Sequence, residues 1–139
     1  MKRPDRRYDI RSPQAWLELA RSDLSFARGG REMDDVLPEP IAFHVQQCAE
    51  KALKAVLISR NVHFPPTHNL QVLVDLCEEV GLTVSQKVAE SVELTPYAVE
   101  GRYLGLPEPI AEPVADHAIA VAESVLSWAE EQIMGNLSR

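Results

Sequence analysis

The sequence predicts an all-α fold, an antiparallel up-and-down helical bundle of four to five helices. Apolar residues recur at helical spacing along almost all of the 139 residues, and no useful stretch alternates with a period of two. The connections between the periodic stretches are short, which favours antiparallel neighbours. One domain over residues 12–134 accommodates every predicted helix, with short tails at 1–11 and 135–139.

The first predicted helix begins at Ser12, because a serine followed by Pro13 is typical of an N-cap and a first turn. The two glycines at 29 and 30 are expected to end this helix. Between these limits the residues at helical spacing are Trp16, Leu19, Ala20, Asp23, Leu24 and Ala27.

The second predicted helix, from about Pro40 to Arg60, has the clearest amphipathic pattern. One apolar stripe is formed by Ile41, Val45, Cys48, Ala49, Ala52 and Val56. The opposite side is polar and carries His44, Gln47, Lys51 and Lys54, with Gln46 and Glu50 beside them. The spacing of Glu50 and Lys54 predicts an ion pair along the helix.

Two shorter helices are predicted next. The third starts at residues 67–69, where a threonine or asparagine can cap it, and ends at Gly81. Its buried face is expected to be Leu70, Leu73, Val74, Cys77 and Val80. Thr83 followed by Gln86 predicts a capping box for the fourth helix, which Pro96 should break or bend.

The last predicted helix is long, from about Glu112 to Met134, and follows an irregular stretch rich in glycine and proline at residues 97–109. The residues expected to face inward are Val114, Ala118, Val121, Ala122, Val125, Trp128 and Ala129. Small residues in this helix and in the second leave open which of the two forms a dimer surface.

Charge and composition exclude several classes of protein. The formal charge of −7 argues against a protein that coats a DNA duplex or RNA through general basicity, because such binding needs an excess of cations. No stretch approaches the roughly 20 apolar residues that cross a bilayer. The polar, Arg-rich start of the chain does not resemble a secretory signal, so we expect a cytoplasmic protein without a membrane anchor.

Cofactor and metal motifs are absent from the sequence. Cys48 and Cys77 lie within apolar periodic runs, which indicates buried thiols rather than a disulfide. His63 and His68 flank a double proline, but two imidazoles without a cysteine are fewer ligands than a structural zinc site uses. We therefore expect no metal and no cofactor.

Two sets of side chains are candidates for ligand binding. On the second helix, His44, Gln47, Lys51 and Lys54 could hold a phosphate or a sugar, although a solvated helix face gives the same pattern. In the loop before the last helix, Glu100, Arg102 and Tyr103 could contact a phosphate and a base, or simply cover the end of the bundle. His68 could act as an acid or base, or as a capping residue.

The chain resembles the HEPN family (higher eukaryote and prokaryote nucleotide-binding domain). The segment FHVQQCAEKALKAVLISRNVHFPPTHNLQVLVDLC, Phe43 to Cys77, is similar to the family's core, and Leu94 to Tyr103 and Trp16 to Ala27 are similar to two further blocks. The resemblance implies an up-and-down helical bundle. It also implies one of two activities: that of a metal-independent ribonuclease, or that of a non-catalytic protein that is the partner of a minimal nucleotidyltransferase or binds nucleotides.

The spacing of arginines and histidines argues against the ribonuclease. The family's nucleases use an arginine and a histidine separated by four to six residues and brought together across a dimer. No arginine of this chain is followed by a histidine at that spacing. His68 lies just beyond it from Arg60, and the positions at that spacing after Arg102 are Pro107, Glu108 and Pro109. Arg102 could supply the cation for catalysis, and His68 or His44 the base, only if the fold brings them together.

The resemblance and the residues together predict a homodimeric HEPN protein that binds a nucleotide or RNA, or a nucleotidyltransferase partner, as in two-component toxin-antitoxin-like systems. The predicted binding residues are His44, Gln47, Lys51, Lys54, His68, Arg102 and Tyr103. The alternatives are a ribonuclease toxin with a displaced Arg–His pair and a purely structural interaction module.

Overall fold

The computed structural model describes residues 9–98 and 109–137, with side chains to residue 135. Within these ranges all regular structure is helical, which confirms the predicted class. The helices are α1 (Pro13–Arg31), α2 (Pro38–Ser59), α3 (Leu70–Glu79), α4 (Gln86–Glu90), a 3₁₀ helix (Ser91–Ala98) and α5 (Glu112–Leu137). None of the helices in the described part of the chain is long and apolar enough to cross a membrane.

Side-chain caps begin three of the helices. Ser12 caps α1 through its hydroxyl, which accepts from the backbone N–H of Ala15 at 3.2 Å, as predicted. Asn69 caps α3 in the same way, at the predicted start. The capping box predicted at Thr83 is wrong, because Ser85 provides the N-cap of α4 and its hydroxyl accepts from Val88.

Two helix ends differ from the sequence prediction: α4 ends at Glu90, before Pro96, which lies inside the 3₁₀ helix, and α1 ends later than expected. α1 does not stop at the paired glycines but continues to Arg31. A side chain at Gly30 would bring its Cβ within 3.2 Å of Val36, so this glycine permits close packing of the following loop rather than a turn. Further along, Asn61 and Gly81 adopt positive φ angles of 58° and 88° after α2 and α3.

Helix α2 is the centre of the bundle and contacts α1, α3, the 3₁₀ helix and α5. Its predicted apolar stripe is buried throughout. The small residues considered for a dimer surface are instead buried inside this chain: Ala49, Ala52, Ala118 and Ala122. In α5, Val114 is 45% exposed and Ala115 takes its place in the core, so the inward face predicted for this helix is wrong at its first position. Val80 is likewise exposed, because it lies at the C-cap of α3.

The ion pairs between α1 and α5 show the relative direction of these two helices. Three arginines of α1 meet three acidic residues of α5 in reverse order along the chain: Arg21 with Glu130, Arg28 with Glu123 and Arg31 with Asp116. The contacts from Asp23 and Gly30 to α2 also run in reverse order. Helix α1 is therefore antiparallel to both α2 and α5.

Candidate functional site

The polar face of α2 is defined here by His44, Gln46, Gln47, Glu50, Lys51 and Lys54. At 100° per residue these positions form one continuous arc on the helix. The face is not simply solvated. Gln46, Glu50 and Lys54 are buried, and the other three are partly covered. Two groups of charged side chains meet on it, one beside α1 and one beside the start of α3.

The first group is a triad of Asp23, His44 and Lys51, which joins α1 to α2. One carboxylate oxygen of Asp23 accepts from Nδ1 of His44 at 3.0 Å, and the other accepts from Nζ of Lys51 at 2.6 Å. The Asp23 side chain is only 13% exposed, whereas His44 and Lys51 are 27% and 22% exposed. The carboxylate therefore lies beneath two groups that both reach solvent.

Phe26 of α1 packs its ring against the imidazole of the triad. The rings of Phe26 and His44 lie 4.1 Å apart between centroids, tilted by 39°, and the ring of Phe43 packs edge-on with the imidazole at 5.3 Å. Phe26 itself is 58% exposed. The exposed ring of Phe26 therefore lies against His44, whose carboxylate partner also binds the partly exposed ammonium of Lys51.

The second group is the Glu50 network, formed by Gln46, Glu50, Lys54 and His68. Glu50 accepts hydrogen bonds from Nζ of Lys54 at 3.0 Å, from Nδ1 of His68 at 2.8 Å and from the amide of Gln46 at 3.1 Å. The same amide of Gln46 also lies 3.3 Å from the backbone carbonyl of His68. The network holds the start of α3 against α2.

Glu50 is ionised in spite of its burial. Burial alone would raise the pKa of this carboxyl, but the hydrogen bonds from Gln46, His68 and Lys54 outweigh burial and hold the pKa below its ordinary value. Because an ionised carboxylate can only accept, Nδ1 of His68 is the donor in this contact. The His68 side chain is 59% exposed.

Lys54 faces inward, in contrast to Lys51. Its side chain is 9% exposed, and its ammonium lies 5.7 Å from the ring centroid of Trp16 and 5.5 Å from that of Phe64. The two rings and Glu50 together surround the charge. Lys54 is therefore a buried member of the polar face. Lys51 is the lysine that a ligand at the surface would contact.

Gln47 extends the Glu50 network along α2. Its side-chain amide donates to the carbonyl oxygen of Gln46 at 2.7 Å, and Gln46 in turn donates to Glu50. The structure thus brings five of the predicted binding residues to one face: His44, Gln47, Lys51, Lys54 and His68. Arg102 and Tyr103 lie outside the described residues, as does Glu100.

Sequence reasoning missed the partners that orient these residues. The sequence pattern places Asp23 in the periodic series of α1 and gives Glu50 only an ion pair with Lys54. A signal was available for Asp23, because an acidic residue within an apolar stripe is buried only when it is paired. No local pattern indicated that His68 would reach Glu50, which lies in the preceding helix.

Three further side chains with potential chemistry in the described residues, Arg60, Cys48 and Cys77, are engaged in or buried by the bundle. Arg60 donates to the backbone carbonyl of Gln132 at 3.2 Å, which ties its guanidinium to α5. Burial raises the pKa of Cys48 and of Cys77 to about 12, and both thiols are free, as predicted. In the ranges that the structure describes, no group of three or more metal-ligating side chains is assembled.

Comparison with known proteins gives one family. The model of the HEPN domain family matches residues 13–132. A solved archaeal HEPN homologue, ST0689, is 26% identical with a TM-score of 0.66, over 88% of this chain and 98% of that one. TT1696 from Thermus thermophilus is 28% identical with a TM-score of 0.71, over 86% of this chain and 97% of that one. No curated protein matches the sequence.

Proposed function

The chain belongs to the HEPN domain family, and from this premise we propose that it binds a nucleotide on the polar face of α2. We further propose that it acts as a non-catalytic, homodimeric partner of a minimal nucleotidyltransferase in a two-component, toxin-antitoxin-like system. The observation that carries the proposal is the triad of Asp23, His44 and Lys51, with the exposed ring of Phe26 beside it.

The triad has the chemistry that anion binding requires. The ammonium of Lys51 has three donor hydrogens, and the hydrogen bond to Asp23 uses one of them. The largely covered carboxylate of Asp23 holds both Lys51 and His44 in place, so binding costs little additional side-chain entropy. A phosphate bound by Lys51 would sit close to an imidazole that can donate a hydrogen bond when it is protonated.

A titration tests nucleotide binding. Isothermal calorimetry with ATP on the parent should give saturable binding, and Lys51→Met should weaken it at least tenfold, which corresponds to about 1.4 kcal/mol. Lys87→Met removes an exposed lysine of α4 and serves as the matched control. Equal affinity of the parent and Lys51→Met, or no binding by the parent, contradicts the proposal.

The partner and the dimer need separate experiments. Co-expression with the minimal nucleotidyltransferase encoded nearest in the genome should yield a stable complex at gel filtration, and two separate peaks would refute the partnership. Analytical sedimentation of the chain alone should show a dimer at micromolar concentration. A stable monomer at that concentration would refute the homodimer.

A ribonuclease is the second candidate, and one observation favours it. The buried carboxylate of Glu50 orients the exposed imidazole of His68, which is the arrangement a general base needs. If the chain cleaves RNA in the presence of EDTA, His68→Ala and Arg102→Ala should each abolish cleavage. His63→Ala, which removes a second exposed imidazole from the same loop, should leave it intact. Cleavage that survives His68→Ala would reject this mechanism.

A further inference from the structure

A groove lies at the corner where α1 turns into α2. It has a volume of about 570 Å³, within the range of small-molecule sites, and is lined mostly by apolar residues of α1, the following loop and the start of α2. Three large apolar side chains in it, Phe26, Met33 and Leu37, are 58%, 55% and 66% exposed. Ser25 and Asp35 supply polar atoms among the lining residues.

The groove and the triad share a boundary. Phe26 lines the groove and its ring also lies against the imidazole of His44, whose Nδ1 is bound to Asp23. Along α2, Pro40 at the groove and Lys51 in the triad are eleven residues apart, about 16 Å at the rise of an α-helix. One seam between α1 and α2 therefore has an apolar, aromatic end and a cationic end.

We propose that the groove holds the base of the nucleotide, with the ring of Phe26 stacked on it and the phosphates extended along the seam towards Lys51. This assignment rests on the proposed function and adds the orientation of the ligand. An aromatic, planar group suits the groove because Phe26 offers a stacking surface and Met33 a polarisable sulfur. The length of the seam suits a nucleoside triphosphate better than a free nucleoside.

Gly29 provides a way to block the groove without disturbing the core. It lines the groove, it lies within α1, and a Cβ built on it meets no heavy atom within 4 Å. Leucine is a far better helix former than glycine, so Gly29→Leu should fold at least as stably as the parent while its side chain fills the groove. Gly135→Leu makes the same exchange at an open position in α5, away from the groove, and is the control.

The experiment measures ATP, adenosine and inorganic tripolyphosphate binding to each variant by calorimetry. Gly29→Leu should weaken ATP and adenosine binding at least tenfold and leave tripolyphosphate binding unchanged, and Phe26→Ala should do the same. Lys51→Met should weaken ATP and tripolyphosphate and leave adenosine unchanged. Gly135→Leu should bind all three as the parent does.

The outcomes separate this inference from the proposed function. If Lys51→Met loses ATP and Gly29→Leu retains it, nucleotide binding stands and the groove assignment is wrong. If the parent binds neither ATP nor adenosine, both are wrong. If Gly29→Leu converts a sedimenting dimer into a monomer, the occupant of the groove is a second copy of the chain, and the base assignment is overturned.

Discussion

Breaking the buried ion pair between Glu50 and Lys54 should destabilise the bundle more than any surface change. The two side chains are 4% and 9% exposed, so neither charge can be rehydrated without opening the structure. In Glu50→Gln the ammonium of Lys54 stays buried against Trp16 and Phe64 without its counter-charge. Removing one partner of such a pair typically costs ~3–5 kcal/mol.

Replacing Lys54 and keeping Glu50 should lower the free energy of unfolding by a smaller amount. In Lys54→Met the carboxylate of Glu50 keeps its hydrogen bonds from Gln46 and His68, so we expect a loss of ~1–3 kcal/mol. The double variant should be less destabilised than the sum of the single ones by at least ~1 kcal/mol, because the groups are in contact. Lys87→Met, at an exposed position, should change stability by less than ~0.5 kcal/mol.

Urea unfolding followed by circular dichroism measures these differences, and repeating it across pH tests the charge state of Glu50. The pKa of Glu50 is lowered in the folded chain, so its stabilising contribution is present above the unfolded value of about 4.3 and is lost as the pH falls through the folded value. Glu50→Gln should therefore lose less stability than the parent on acidification below pH ~5. Single variants as stable as the parent, or strictly additive effects in the double variant, would refute the reasoning.

Three further predictions concern stability and reactivity. Gly81→Ala should destabilise the chain by ~1–2 kcal/mol in urea unfolding, because Gly81 has a φ of 88°; an unchanged midpoint would contradict this. Burial raises the pKa of Cys48 and Cys77 to about 12, so both should resist a thiol-reactive dye at pH 8 until the chain unfolds, and rapid labelling of the folded chain would argue against their burial. Arg28→Ala breaks an exposed pair with Glu123, so thermal unfolding should show a loss below ~1 kcal/mol, and a larger loss would mean that the pair does more than surface ion pairs usually do.

The positions of most helices could be predicted from the sequence, because apolar stripes and N-caps are local patterns. The stripe of α2 and the caps at Ser12 and Asn69 each depend on residues within one or two turns, and the structure confirms them. One local signal failed, since Ser85 and not Thr83 caps α4, and other errors occurred where tertiary packing decides the outcome. α1 continues past Gly29 to Arg31, and Gly30 lies where a side chain would crowd Val36, a contact that no pattern within α1 indicates.

The candidate site was predicted only in part, for a physical reason. Periodicity placed His44 and Lys51 on one face but gave no information on the carboxylate that binds both, since Asp23 lies in another helix. Periodicity also placed Lys54 on the same face as Lys51. Aromatic rings cover Lys54, however, whereas Lys51 stays partly exposed. Such differences depend on which helices are neighbours, which no local pattern encodes.

The central claim is that the seam between α1 and α2 binds a nucleotide, and an NMR titration tests it most directly. ATP added to the ¹⁵N-labelled parent should shift the amide signals of residues 23–30 and 40–51, with the α3 and α5 signals nearly unchanged. Shifts confined to α3 or α5, or no shifts at millimolar ATP, would contradict the account.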